Sequence, residues 1–194
     1  MKNYRLLILA ISYLFLACHN NDEKVNTQKQ EEKKDFFPIA DYIKSEINYV
    51  DSMPLGIIKY NIRNGKTDSV FIKTDEFNQL AQEFLPTELK DSIFEKNFTE
   101  TSFLDQTTQL LTFTYSTKNS TIQLQRVDVL ATPSNGFDKV KSVYMEKNFI
   151  RKDTSVTMKM YWRAKKSFQI ISILQPTNQQ PVTKQLKVVW DNFE

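Results

Sequence analysis

VTMKMYWR, residues 156–163, is the most regular pattern in the chain. Every second position is apolar: Val156, Met158, Met160 and Trp162. The positions between them are polar or amphipathic: Thr157, Lys159, Tyr161 and Arg163. Because successive side chains of a strand point to opposite faces, this alternation predicts a strand with one buried and one solvated face, as in an antiparallel sheet.

Short strands are predicted on both sides of this stretch. Turn-like residues separate runs of strand character around residues 111–115, 122–129, 140–147, 168–174 and 186–190. Within the second run the apolar pattern shifts by one step, which predicts a β-bulge near Gln125 and Arg126. Consecutive short strands of this kind predict an antiparallel meander.

The preceding residues combine helical and strand patterns. A helix that starts after Pro38 is predicted from apolar residues three and four positions apart: Ile39, Ile43, Ile47 and Val50. Alternation on both sides of Asn64-Gly65 predicts a hairpin over residues 58–72, and a second helix is expected over residues 74–84, before Pro86. A shorter helical turn is expected around residues 89–94.

The predicted fold class is α+β. We expect two or three N-terminal helices packed on an antiparallel, meander-rich sheet of about six to eight strands. The length and the 12 % aromatic content suffice for one sizeable core, so residues 36–194 are predicted to form a single domain.

The first residues have the composition of a signal peptide. Lys2 and Arg5 precede an almost wholly apolar run, residues 6–17, which is shorter than the roughly 20 residues that a spanning helix needs. Polar residues follow it at once. We therefore expect residues 1–17 to act as a signal peptide that is removed before Cys18. In the alternative, the segment is an ordinary secretory signal and Cys18 follows it by chance.

Leu16-Ala17-Cys18 resembles the lipobox of bacterial lipoproteins, in which a cysteine is acylated and becomes the new N-terminus. Phe15 departs from the small aliphatic residue of a strict lipobox and fits the looser boxes of Bacteroidota. The resemblance covers residues 1–18, and beyond them the chain looks only like uncharacterised lipoproteins of that group. It implies that Cys18 carries lipid and that the partner of this end is the lipid bilayer.

Lipid on Cys18 has consequences for the remaining chain. Cys18 is the only cysteine, so no intramolecular disulfide can form. Residues 18–35 are almost entirely polar and are predicted to be a flexible tether. The expected location is the outer membrane, with the periplasmic and cell-surface sides both open.

The sequence lacks the residues that several classes of catalytic and binding site require. The single histidine, His19, lies in the tether, so zinc sites of the usual kind and histidine-based triads are not expected. Glycines occur only at positions 56, 65 and 136, which fits no phosphate-binding loop. No cofactor and no nucleic-acid partner are predicted.

Two pairs of residues keep a hydrolase open as the alternative function. Asp105 and Asp128 lie near predicted strands, where two carboxylates could act as acid and base. Lys166 and Ser167 could supply a base and a nucleophile, although neighbours on a strand point to opposite faces. Neither pair stands out from the other acidic and hydroxyl residues of the chain.

A basic and aromatic patch is the candidate binding site. It comprises Lys159, Tyr161, Arg163 and Lys165, in a C-terminal part, residues 139–194, that has 11 basic and four acidic side chains. Such a mixture suits an acidic ligand, a glycan or anionic headgroups. The same residues could simply be the lysine-rich solvated face of a sheet.

Three Asp-Ser-aliphatic tripeptides look like the O-glycosylation acceptors of Bacteroidota and place candidate sites at Ser52, Ser69 and Ser92. Asp-Ser pairs also occur as ordinary turns and caps. Taken together, the sequence favours a non-enzymatic envelope lipoprotein that binds a protein or glycan partner, with the hydrolase as the alternative.

Overall fold

The structure is a computed structural model that describes residues 36–54, 56–63, 65–133 and 139–191. The predicted signal peptide, Cys18 and the tether lie outside these ranges. So does Asn64 of the predicted hairpin turn. No helix within the described ranges is long and apolar enough to cross a membrane.

Three α-helices and nine strands make up the described part of the chain. The helices are α1 (Ile39–Ser52), α2 (Thr74–Ala81) and α3 (Asp91–Asn97), with short 3₁₀ turns at Gln82–Phe84 and Thr87–Leu89. The strands are β1 (Ile57–Arg63), β2 (Lys66–Ile72), β3 (Thr99–Asp105), β4 (Leu110–Ser116), β5 (Leu124–Ala131), β6 (Val140–Arg151), β7 (Thr154–Arg163), β8 (Ser167–Pro176) and β9 (Val182–Val189).

All nine strands form one antiparallel sheet in the order β2-β1-β9-β8-β7-β6-β5-β4-β3. The antiparallel prediction is confirmed, and strands β3 to β9 form the expected meander. A register shift between Leu124 and Arg126 confirms the predicted bulge. The last strand, β9, pairs with β1, so the hairpin β1–β2 continues the sheet beyond the end of the meander.

The predicted arrangement of helices and strands is wrong. The sheet has nine strands instead of six to eight, and only α1 precedes it, while α2 and α3 lie between β2 and β3. Strands β2 and β3 are the two edges of the sheet, so the chain between them must cross its whole width. The helices occupy that crossing. Strand β3 was missed because five of its seven residues are exposed and its sequence does not alternate.

The helices pack on one face of the sheet and form the core with it. Trp162 of β7 stacks on Phe168 of β8 at 5.3 Å between ring centroids, and Phe84 meets Trp162 edge to face at 5.1 Å. Phe77 of α2 contacts the ring of Trp190 at 5.3 Å. Each of these rings contributes more buried area to the core than an aliphatic side chain does, because aromatic side chains bury the largest areas.

Candidate binding face

The opposite face of the sheet carries none of the described helices, and we call it the open face. On β7 it presents Lys159, Tyr161 and Arg163, all exposed, while Met160 and Trp162 between them are fully buried. The alternation in residues 156–163 therefore places three of the four predicted binding residues side by side along one strand. Tyr161 is the aromatic residue of the three, and it is 44 % exposed.

A row of side chains runs across the open face through Tyr161. Residues that pair directly across neighbouring strands share a face, and the register defines this tyrosine row: Tyr144 of β6, Tyr161 of β7, Gln169 of β8, Lys187 of β9 and Tyr60 of β1. Four strand spacings give it a length of about 19 Å. Tyr144 and Tyr161 are direct cross-strand neighbours, so two aromatic side chains lie together at one end of the row.

Acidic groups on this face are already engaged by neighbouring side chains. Tyr144 donates its hydroxyl hydrogen to Glu146 at 3.0 Å, and partial burial, followed by this hydrogen bond, raises the pKa of Tyr144 to about 12. Asp128 accepts hydrogen bonds from Thr114 at 2.7 Å and from Arg126 at 2.9 Å. The carboxylates thereby hold the polar side chains of β4 to β6 in fixed positions.

One end of the open face is a shallow depression with a basic lining. Its volume is about 460 Å³, and its lining includes Ser142 of β6, Tyr161 and Arg163 of β7 and Lys166 of the following turn. Guanidinium and ammonium groups beside an exposed phenol ring suit a ligand that has both hydrogen-bond acceptors and apolar ring faces. This depression thus combines hydroxyl, phenol, guanidinium and ammonium groups within one small area.

Lys165, the fourth predicted binding residue, also lines this depression, but its ammonium group is held by the helix side of the molecule. Its ammonium forms an ion pair with Glu46 of α1 at 3.0 Å and lies 3.9 Å from the ring centroid of Tyr49. Its backbone N–H also donates to Glu46 at 2.8 Å, which fixes the turn where Lys165 adopts a positive φ of 59°. Lys165 therefore anchors the β7–β8 turn to α1.

Glu46 was not singled out from the sequence, although it is 2 % exposed. One carboxylate oxygen accepts from the Trp162 indole N–H at 3.2 Å and from the Lys165 backbone N–H. A buried carboxylate needs such partners, because its desolvation is otherwise unfavourable. The sequence feature that indicates its burial is its position: Glu46 lies three residues after Ile43, on the apolar stripe of α1.

The residues considered for hydrolysis are not brought together. Asp105 ends β3, and the pKa of its carboxyl is lowered first by a side-chain hydrogen bond from Thr108 and then by hydrogen bonds from the backbone N–H groups of Thr107 and Thr108. Along β4 the partners of Asp105 and Asp128 are Leu110 and Thr114, four residues apart, or about 13 Å. Glycosidase carboxylates lie about 5–9.5 Å apart.

In the described part of the chain no hydrogen bond joins the Lys166 ammonium and the Ser167 hydroxyl. The Lys166 carbonyl accepts hydrogen bonds from the backbone N–H groups of Trp190 and Asp191, so this turn closes the end of the sheet. Ser167 begins β8 and lies opposite Arg163 on the open face. Within the described ranges no cluster of three or more histidine, cysteine, aspartate or glutamate residues is suited to hold a metal ion.

The three serines of the Asp-Ser-aliphatic tripeptides are all exposed. Ser52 is the last residue of α1, where its hydroxyl donates to the carbonyl of Tyr49 at 2.9 Å. Ser69 lies on the edge strand β2 and Ser92 on the first turn of α3. The three serines therefore lie at the surface of the described structure.

Comparison with known proteins adds no further constraint. Scans of protein-family models, of curated proteins and of solved structures each found no match to this chain. What the open face can bind therefore follows from its own side chains: an aromatic pair, a row of hydrogen-bonding groups and a cationic end.

Proposed function

We propose that this protein is a non-enzymatic, lipid-anchored module of a bacterial envelope, which binds a glycan on the open face of its sheet. The tyrosine row supports this proposal most directly. Sugars present both hydroxyl groups and apolar ring faces, and the row offers phenol rings beside amide and ammonium donors. The exposed Tyr161 ring, next to Tyr144, is the expected stacking platform.

Charge favours a glycan with acidic groups. Arg163 and Lys159 lie on either side of Tyr161 along β7, and Lys187 lies on the tyrosine row itself. Among the carboxylates of the open face, Glu146 lies directly opposite Lys159, and Asp128 is engaged with Thr114 and Arg126. Electrostatic attraction would add to stacking and would weaken as ionic strength rises.

The membrane anchor in this proposal is Cys18. Its support is the sequence alone: a short apolar run after two basic residues, followed by Leu16-Ala17-Cys18 and a polar stretch. Two or three acyl chains hold a protein on a bilayer permanently, since each buried methylene contributes about 0.8 kcal/mol. An outer-membrane location, on either side, would place the open face among envelope polysaccharides.

The glycan proposal is tested with envelope polysaccharide from the native host, freed of protein by protease and immobilised. The full lipidated chain is applied in detergent, and we expect Tyr161→Ala with Arg163→Ala to weaken binding by about tenfold or more. The matched control, Phe103→Ala with Lys118→Ala, removes an aromatic ring and a cation from the far end of the sheet and should bind normally.

Each outcome of this experiment is informative. Equal binding by the patch variant and wild type would refute the open face as the site. Wild-type protein that ignores polysaccharide, but crosslinks in the native membrane to one protein through Tyr161 and Arg163, would replace the glycan with a protein partner. Loss of binding by both variants would show that the effect is not specific to the tyrosine row.

The anchor has its own test. Replacing Cys18 by serine should abolish incorporation of labelled fatty acid and release the protein from the outer-membrane fraction. Unchanged labelling of Cys18→Ser would refute lipidation at this position. Protease added to whole cells distinguishes the two sides, since only a surface-exposed tether is cleaved.

We also propose O-glycosylation at Ser52, Ser69 and Ser92, because each follows an aspartate, precedes an apolar residue and is exposed. Intact-mass measurement of the protein from its own host is the test. Added sugar masses that disappear when all three serines become alanine would support these sites. A mass equal to that of the lipidated chain alone would refute them.

A further inference from the structure

A second concave site lies on the side of the sheet that the helices cover. We call it the basic groove: a groove of about 440 Å³ at the end of α2, where the strands extend past the helix. Its floor is apolar and comprises Leu80 of α2, Met158 of β7, Ile170 of β8 and Leu186 of β9. A volume of this size is typical of small-molecule sites, which are about 300–1,000 Å³.

Cations line the outer rim of the groove in a direct cross-strand row. Arg63 of β1 lies opposite Lys184 of β9 on one side and Lys66 of β2 on the other. All three are exposed, and like charges placed directly opposite each other destabilise a sheet. Among the described residues, Arg63 and Lys184 have no carboxylate partner within ion-pair distance. The row therefore carries positive charge that no close ion pair among the described residues neutralises, and the acid beside it on the same face is Asp68, opposite Asn61.

The inner end of the groove is closed by paired charges. Lys59 forms an ion pair with Glu76 of α2, and Lys147 forms one with Glu83 at 3.2 Å and also donates to the Glu83 carbonyl at 3.0 Å. These pairs join α2 and its 3₁₀ extension to β1 and β6. The groove thus has a neutralised inner wall, an apolar floor and a cationic mouth.

We propose that the basic groove binds a small anionic amphiphile of the fatty-acid type. The chain would lie on Leu186, Ile170 and Met158, and the acid group would reach Arg63 and Lys184. An arginine fork binds carboxylate or phosphate oxygens through two parallel hydrogen bonds, and Ser172 on the adjacent strand supplies a further hydroxyl donor. This site lies on the opposite side of the sheet from the tyrosine row and does not depend on the glycan proposal.

The probe for this site is a decanoate analogue that carries a photoreactive diazirine in its chain. The full chain in native membranes is labelled with it, and the modified residues are located by mass spectrometry. We expect label on the peptides of α2, β7 and β9 that line the groove. Unlabelled decanoate should compete with the probe, whereas its uncharged methyl ester and inorganic phosphate should not.

Two variants test the charge and the floor separately. Arg63→Gln with Lys184→Gln should reduce labelling of the groove about tenfold or more, as expected for the loss of charge-assisted hydrogen bonds. Ser172→Glu adds an anion beside Lys184 and should also reduce labelling. The control, Lys96→Gln with Lys118→Gln, removes two exposed cations elsewhere and should label like wild type.

Several results would overturn the proposal. Label spread evenly over the chain, or unchanged by Arg63→Gln with Lys184→Gln, would refute the site. Equal competition by the methyl ester would refute recognition of the acid group. Competition by inorganic phosphate alone would show a free-anion site without a chain-binding floor. Each variant's free energy of unfolding is measured in parallel, so that a folding defect is recognised.

Discussion

Trp162 and Tyr161 are adjacent in the chain, yet they belong to two different regions of the molecule. On the helix-covered face, the Trp162 side chain contacts four aromatic rings with centroids within 6.4 Å and donates its indole N–H to Glu46. Trp162 has no exposed surface. The Tyr161 side has a single layer of polar, aromatic and aliphatic groups open to solvent, the last including Ile150 and Ile171. Most of the folding stability therefore comes from the helix-covered face. Side chains on the open face contribute less to stability and can serve ligand contacts instead.

The largest effect is expected from Trp162→Ala. Removing a fully buried tryptophan leaves a cavity among Phe77, Phe84 and Phe168 and should cost about 3–5 kcal/mol of unfolding free energy, measured by urea denaturation. Trp162→Phe keeps one ring and should cost less. A cost below about 1 kcal/mol for the alanine variant would contradict the assignment of stability to this face.

A smaller effect is expected from the polar clamp between α1 and the β7–β8 turn. Glu46→Ala leaves two donors, the Trp162 indole and the Lys165 N–H, without their acceptor, at a cost on the order of 1–3 kcal/mol. Glu46→Gln retains an acceptor oxygen and should be milder. Lys165→Gln is the control, since its ammonium is half exposed and its ion pair contributes about 0–1 kcal/mol. Equal losses in Glu46→Ala and Lys165→Gln would refute the clamp.

Tyrosines on the two faces should also differ in how they affect stability at alkaline pH. Burial, and then the charge of Glu46, raises the pKa of Tyr42 above the usual tyrosine range, and burial also raises that of Tyr115. Unfolded tyrosines lose their proton near pH 10, so above this pH the folded state holds more protons and stability falls as pH rises.

Tyr42→Phe should flatten this alkaline decline more than Tyr144→Phe, because Tyr144 on the open face has a pKa of only about 12. Denaturation midpoints measured at several pH values above 10 provide the slopes, and ultraviolet absorbance follows the ionisation of the phenols. Identical slopes for wild type and Tyr42→Phe would show that Tyr42 ionises as easily in the folded state as in the unfolded one.

The smallest effect on stability is expected from the open face. Tyr161→Ala should change the free energy of unfolding by about 1 kcal/mol or less, because the residue is 44 % exposed and its main loss is the cross-strand contact with Tyr144. The same variant should lose polysaccharide binding. A cost comparable to that of Trp162→Ala would mean that the open face is part of the core.

Much of the fold could be predicted where a pattern has a strong period. The alternation in residues 156–163, the bulge near Gln125 and the buried stripe of α1 follow from local sequence. Strand β3 could not be predicted in this way, because an exposed edge strand buries too little surface to impose alternation. The placement of α2 and α3 also required knowledge of which strands form the two edges.

The candidate binding face was predictable only in part. Lys159, Tyr161 and Arg163 share one face because of strand geometry, which the sequence reveals directly. Lys165 lies within the following turn, where it adopts a positive φ, and it lines the same depression as Tyr161 and Arg163. A turn conformation of this kind has no clear sequence signal. The row from Tyr144 to Tyr60 joins residues 84 positions apart, so it appears only when the strand register is known.

The sequence by itself determined which side chains are buried in strands with clear alternation, such as β7, because the period of a strand is fixed by backbone geometry. It also determined Cys18 as the candidate lipid site, through the composition of the residues around it. Only the tertiary structure decided the order of the strands, the pairing of β9 with β1 and the position of Glu46 beneath the β7–β8 turn. These features depend on contacts between residues far apart in the chain, which no local pattern encodes.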